Sequence, residues 1–133
     1  MTDESSALLQ RHIIHSREYF ENAIIALLGG EAGKAGELLW GCVAQATHAV
    51  AAYQNRPLRT HRELKNFIMQ LARELNDEDI EKNFIVAESL HHNFYEVQQE
   101  PVDIQIVVPT VQTLVSRLFT LLPPEANTQA IPS

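Results

Sequence analysis

The sequence predicts an all-α protein: an up-and-down antiparallel bundle of four long helices and one shorter helix. Three observations predict it. Apolar residues recur at spacings of three and four along most of the chain, the period of a helix face. Only five glycines and six prolines occur, and Pro101, Pro123, Pro124 and Pro132 lie near or beyond the expected helix ends. No window sustains strand alternation; "DIQIVV" is the one short candidate. A length of 133 residues suits one domain, assigned to residues 1–122, with a patternless and flexible tail expected over residues 123–133.

The first helix is expected over about residues 5–28, with Asp3, Ser5 and Ser6 as candidate caps. Leu9, Ile13, Phe20, Ile24 and Leu27 form one stripe, and Ile14, Ile25 and Leu28 widen it. Gly29 and Gly30 supply a glycine stop. The second helix, about residues 31–54, is rich in alanine and glycine, which suggests close approach by another backbone. Its larger apolar residues are Leu39, Trp40, Val43 and Val50.

Pro57 in "NRPLR" interrupts the pattern. Thr60 and Glu63 then have the spacing of a capping box, opening a third helix with Leu64, Phe67, Ile68, Leu71 and Leu75 on its apolar face. Asn76 and Asp77 close it and cap a fourth helix, about residues 77–98, built on Ile80, Phe84, Ala87, Leu90, Phe94 and Val97. Pro101 marks the next break. A last helix ends near residue 122, and Pro109 either kinks it or stands near its start.

Composition sets limits on function. A net charge of −7 argues against a surface that grips nucleic acid everywhere. The cations are uneven, however: Arg56, Arg59, Arg62 and Lys65 are four of the ten and crowd one window. The single cysteine, Cys42, excludes an internal disulfide and reads as a buried, inert thiol. "MTDESSALL" is acidic where a secretory signal is basic, and the longest apolar runs read as too short to cross a bilayer. A cytoplasmic protein without membrane contact is expected.

Three stretches resemble the HEPN superfamily of helical bundles, and within it the PaREP1-like branch. They are "SREYFENAIIALLGG", "KAGELLWGCVAQATHAVAAY", and a histidine opening the third helix followed by "LHHNFYE" on the fourth. The resemblance covers roughly residues 5–122. It implies a bundle, often a homodimer, that associates with nucleotides or RNA. Active members of that superfamily cut RNA with an Arg and a His four to six residues apart on a helix lining the dimer groove. Arg56 and His61 have that spacing here; His91 and His92 have no arginine at that distance upstream.

The residues themselves offer three candidate sites. Arg56, Arg59, His61 and Arg62 stand at or just before a helix N-terminus, where the helix dipole favours anions and Arg adds bidentate geometry for phosphate. His92, Tyr95 and Glu96, with Glu88, form a polar stripe beside the apolar face of the fourth helix, a ligand-facing ladder or an interhelical seam. Glu88 and His91 have the Glu-x-x-His spacing of metal-binding bundles, but it occurs once where such sites need it twice. His12 and His15, with His48, are a second incomplete set. No metal ligand and no cofactor is assigned. The favoured reading is a binding or interaction module that takes a nucleotide or RNA phosphate, rather than an enzyme. A metal-independent, toxin-like ribonuclease using Arg56 and His61, or His91 and His92, is the alternative, and a metal-binding bundle the third.

Overall fold

The computed structural model describes residues 2–96 and 100–124, the side chains of 92–96 excepted. Within them the chain is five helices without a strand: α1 (Asp3–Leu28), α2 (Ala32–Tyr53), α3 (His61–Glu74), α4 (Glu78–Glu96) and α5 (Pro101–Phe119). The expected tail lies almost wholly in residues 125–133, outside the described residues.

Three of the helices stop by the same device. Glu31 N–H donates to the Ala26 carbonyl and Gly30 N–H to that of Leu27, with Gly30 at φ 77°. Arg56 and Asn55 repeat this on Ala51 and Ala52, and Asp77 and Asn76 on Ala72 and Arg73. Asn55 (φ 59°) and Asn76 (φ 51°) take the left-handed conformation that reverses the chain. Asparagine tolerates it better than other side-chain-bearing residues. The end of α2 is therefore set by Asn55, before Pro57 is reached.

The starts are equally local. Thr2, not Asp3, Ser5 or Ser6, caps α1: its Oγ1 accepts from Ser5 N–H at 3.0 Å. Thr60 caps α3 by accepting from Glu63 N–H at 3.1 Å, while the Glu63 carboxylate reaches back to Arg59 N–H at 2.9 Å. Asp77 accepts from Asp79 N–H at the head of α4. Pro101 occupies the first turn of α5, so Pro109 lies inside that helix and does not begin it. Pro109 and Gln105, whose carbonyl loses its helical partner, are both exposed, where water can take the bond.

"DIQIVV" is helical for the same reason that α5 is buried along one side. Ile104, Val111, Leu114, Val115 and Leu118 follow helical spacing and are all buried. One expectation fails here. By length and composition α5 could cross a bilayer, with a mean hydropathy of 1.2 over its apolar window. In the bundle its apolar side packs on α2 and α4.

Helix α2 is the centre. It packs on all four other helices, and most of its residues are buried. Its small side chains let α1 lie close along its length. At Gly41 the neighbour is a side chain and not a backbone: a Cβ there would stand 3.1 Å from the Tyr19 ring. Ser16 donates to the Cys42 carbonyl at 2.8 Å, satisfying a buried hydroxyl across this seam. Burial pushes the Cys42 thiol up to about 12, against a weaker opposing effect of its contact with Ser16. Ile25 and Leu28 do not join the core; they are 66% and 84% exposed. Arg117 of α5 pairs with Asp77 at 2.9 Å, tying α5 to the α3–α4 turn.

Candidate binding site at the junction of α2, α3 and α4

On α4, Phe84, Ala87, Glu88 and His91 follow the spacing of one helix face, and three of them are buried. The fold therefore draws the Glu88 carboxylate inward at a position that otherwise carries core residues. It was expected on the outer polar stripe. An isolated carboxylate would not tolerate this. Here both its oxygens are occupied from α3: His61 Nε2–H donates to one at 2.7 Å and Lys65 to the other at 3.0 Å. Burial pushes the Glu88 carboxyl up, but these two hydrogen bonds and the nearby positive charge outweigh it. The group is held below the ordinary carboxylate range.

Trp40 of α2 is the apolar floor of the junction. Its ring lies 5.5 Å from that of His61, 5.8 Å from that of His91 in a stacked arrangement, and 5.6 Å edge-on from Phe84. His61 and His91 stack on each other at 6.2 Å. His91 Nδ1–H in turn donates to Glu37, one turn before Trp40 on α2, at 2.7 Å. Two histidine–carboxylate pairs thus tie α3 to α4 and α4 to α2 across one indole.

Three clefts run side by side along this edge. The first, about 380 Å³, lies between α1, α2 and the α2–α3 loop, and includes Leu8, His12, His48, Asn55, Arg56 and Leu58. The second, about 260 Å³, shares His48 and Leu58 with it and adds Trp40, Arg59, Thr60 and His61. The third, about 510 Å³, shares His61 with the second and adds Arg62, Lys65, Asn66 and Glu88. His48 and His12 stack at 5.2 Å, and His12 Nδ1–H donates to the Gln45 amide oxygen at 2.7 Å. Burial, then the proximity of His12, lowers the His48 pKa, so its imidazole is neutral at pH 7.

Several expected residues therefore meet and others part. Arg59 and His61 line one cleft, and His61 and Arg62 the next. Arg56 lies in the first cleft, with its guanidinium 5.0 Å over the Phe67 ring, and shares no cleft with His61. Glu88 and His91 turn to different partners, His61 and Lys65 for one and Glu37 for the other. Among the described residues no group of three or more His, Cys, Asp or Glu side chains is placed to hold a metal ion. His15 is exposed beside Tyr19, apart from the His12–His48 pair. The side chains of His92, Tyr95 and Glu96 lie outside the described residues.

Sequence reasoning missed Glu37, Trp40, Lys65 and the inward turn of Glu88 as parts of one cluster. A signal existed for Glu88, which stands four residues after Phe84 and three before His91. Nothing local could pair it with His61, 27 residues away.

Fold and junction together define a small all-α domain whose polar cluster is assembled from its central helix, its shortest one and α4. The chain belongs to the archaeal PaREP1/PaREP8 family, whose model matches residues 11–115 and so takes in α2, α3, α4, most of α1 and α5, and the whole junction. No curated protein and no solved structure gives a significant match to the chain.

Proposed function

We propose that the protein is a cytoplasmic, HEPN-like binding module that takes a phosphate-bearing ligand, a nucleotide or a stretch of RNA, along the three clefts. The observation that carries this reading is the placement of cations. The chain is strongly acidic overall, yet Arg56, Arg59 and the pair Arg62 and Lys65 fall one after another along adjoining clefts. Such a stripe concentrates positive potential on one edge of an acidic protein. Arg59 and Arg62 flank the start of α3, whose dipole favours the same sign of ligand.

The geometry favours binding over RNA cleavage. Arg56 and His61 line separate clefts, and His61 is engaged with Glu88. Self-association is part of the reading: Ile25 and Leu28 leave apolar surface at the end of α1 that a second copy would cover. The measured oligomeric state and its loss in an Ile25→Glu, Leu28→Glu variant test that part.

The binding reading is tested by thermal unfolding with and without mononucleotides and short RNA. Ligand that binds the folded state raises the melting temperature. The rise should shrink in Arg59→Ala and with added salt. No rise with any of these ligands would sink the reading.

A further inference from the structure

Arg56 stands apart from the other cations in what surrounds it. Arg17, Lys65 and Arg117 each meet a carboxylate. Among the described residues no carboxylate or carbonyl takes the donors of the Arg56 guanidinium, whose contact is the Phe67 ring, 5.0 Å away. The cleft it lines, between α1, α2 and the α2–α3 loop, has Leu8, Ala52, Pro57 and Leu58 as apolar walls. The chain carries 17 Asp and Glu, yet no described one lines this cleft. Its two imidazoles, His12 and His48, stack on each other, and His48 is neutral at pH 7. One full cation therefore borders an apolar cleft that holds no opposing charge.

We infer that the first cleft binds a small apolar carboxylic acid, an aromatic or short-chain monocarboxylate, with its carboxylate on Arg56 and its apolar body against Leu8, Ala52, Pro57 and Leu58. The acid is a second class of ligand, beyond the phosphate reading, and where a nucleotide extends into this cleft the two compete for Arg56. Three physical points carry the inference. A guanidinium presents a planar fork of donors that matches a carboxylate bidentately, and the Phe67 ring supports it without occupying those donors as a carboxylate would. A lone exposed ion pair holds little by itself, so affinity needs apolar surface as well, and the walls of this cleft supply it. The volume of about 380 Å³ lies near the lower end of small-molecule sites, roughly 300–1,000 Å³, which sets the ligand at one ring or a short chain. A single cation also balances a monocarboxylate, whereas Arg59, Arg62 and Lys65 of the adjoining clefts suit the greater charge of a phosphate.

The test separates the two halves of the ligand. Benzoate, phenylpropionate and hexanoate, their primary amides, and acetate are titrated into the full chain at one ionic strength, with backbone amide NMR shifts as the readout. The same titrations follow for Arg56→Gln and for Leu8→Ser, the latter at a partly exposed wall position. At least one of the three larger acids should bind about tenfold more tightly than its amide and than acetate. Arg56→Gln should bring that acid down to the level of its amide and leave the amide unchanged. Leu8→Ser should weaken acid and amide by the same factor. No binding of any acid at millimolar concentration would overturn the inference. So would equal affinity of acid and amide, acetate binding as well as the larger acids, or an acid preference that survives Arg56→Gln. Adenosine monophosphate titrated in parallel keeps the two readings distinct: acids that bind where the nucleotide does not would sink the phosphate reading alone, and the reverse would sink this one alone. A melting curve of each variant without ligand separates loss of binding from loss of fold.

Discussion

Two faces of α2 work by opposite rules. Toward α1 it presents small side chains, and the seam is closed by Leu9, Ile13 and Phe20 with one buried hydroxyl bond, Ser16 to Cys42. Toward α3 and α4 it presents Trp40 and Glu37, and paired charges and stacked imidazoles are added there to the apolar packing of Phe67, Phe84 and Ala87. The first is non-directional burial, where volume decides. The second is directional, and each polar group is tolerable only because a particular partner on another helix is in reach. A protein can thus keep a helical hairpin closed by volume and dock beside it a short helix whose apolar face carries a polar edge. The clefts form along that second face.

The comparison is broken most forcefully from the seam side. Ile13 is fully buried on α1. Ile13→Ala should cost about 3 kcal/mol, the usual range for removing that much buried side chain. The midpoint of urea unfolding at pH 7 reads it directly. A cost below about 1 kcal/mol would mean that α1 can settle onto α2 without the isoleucine, and the seam is looser than its packing suggests.

At the junction the largest effect should come from Glu88. Glu88→Ala leaves His61 and Lys65 facing a site with no carboxylate. Both side chains are about half exposed and can turn to water, so the loss should be only about 1–2 kcal/mol. The pH dependence identifies the cause. The folded carboxyl ionises below its ordinary value of 4.5. Its stabilisation is therefore complete above that value and is lost as pH falls through the lower folded one. Urea midpoints measured from pH 7 into acid should show the gap between native chain and Glu88→Gln closing below about pH 4.5. A gap that persists unchanged in acid would show that packing, not the charge, is what the glutamate supplies.

The two faces also differ in how far the sequence discloses them. The seam was legible because its signal is periodic: Leu9, Ile13 and Phe20 recur on a helix stripe, and alanine in α2 marks close approach. Helix ends were legible where a single residue type decides them, as at Gly30, Thr60 and Asn76. They were less legible where two solutions compete. Thr2 caps α1 in place of Asp3, Ser5 or Ser6, and of the two places left open for Pro109 the structure takes the one inside α5, which begins at Pro101. The basic run at Arg56 to Lys65 was visible as composition. Its division among three clefts was not, because that depends on how α3 docks. Nor was the Glu88 cluster, whose members come from three helices and are separated by up to 54 residues. Polar pairing across such distances carries no periodicity to read.

The asparagine turns sharpen the contrast at smaller scale. Asn55 ends α2 beside the first cleft, and Asn76 ends α3 away from it. Alanine in the left-handed conformation is strained, so Asn55→Ala and Asn76→Ala should each cost about 1 kcal/mol. The two should match in unfolding and differ in ligand titration, where only Asn55→Ala should reduce nucleotide affinity. Equal titration behaviour would remove Asn55 from the residues of the first cleft that meet the ligand.

The smallest expected effect lies where α2 meets the Tyr19 ring of α1. Gly41 sits inside α2, where alanine is favoured over glycine by roughly 1 kcal/mol. Against this, an added Cβ would come within 3.1 Å of the Tyr19 ring. Backbone in that place would make the substitution costly. A ring can shift by a few tenths of an ångström, and Tyr19 is 36% exposed, so it has room to do so. Gly41→Ala should therefore raise the urea midpoint by a small net amount, about 0.5 kcal/mol in stability. A fall instead would mean that Tyr19 is held in place, and that the seam owes its closeness to an aromatic contact as well as to small residues. Pairing the change with Tyr19→Leu decides between these. If the ring is the obstacle, the alanine should become stabilising once the ring is gone.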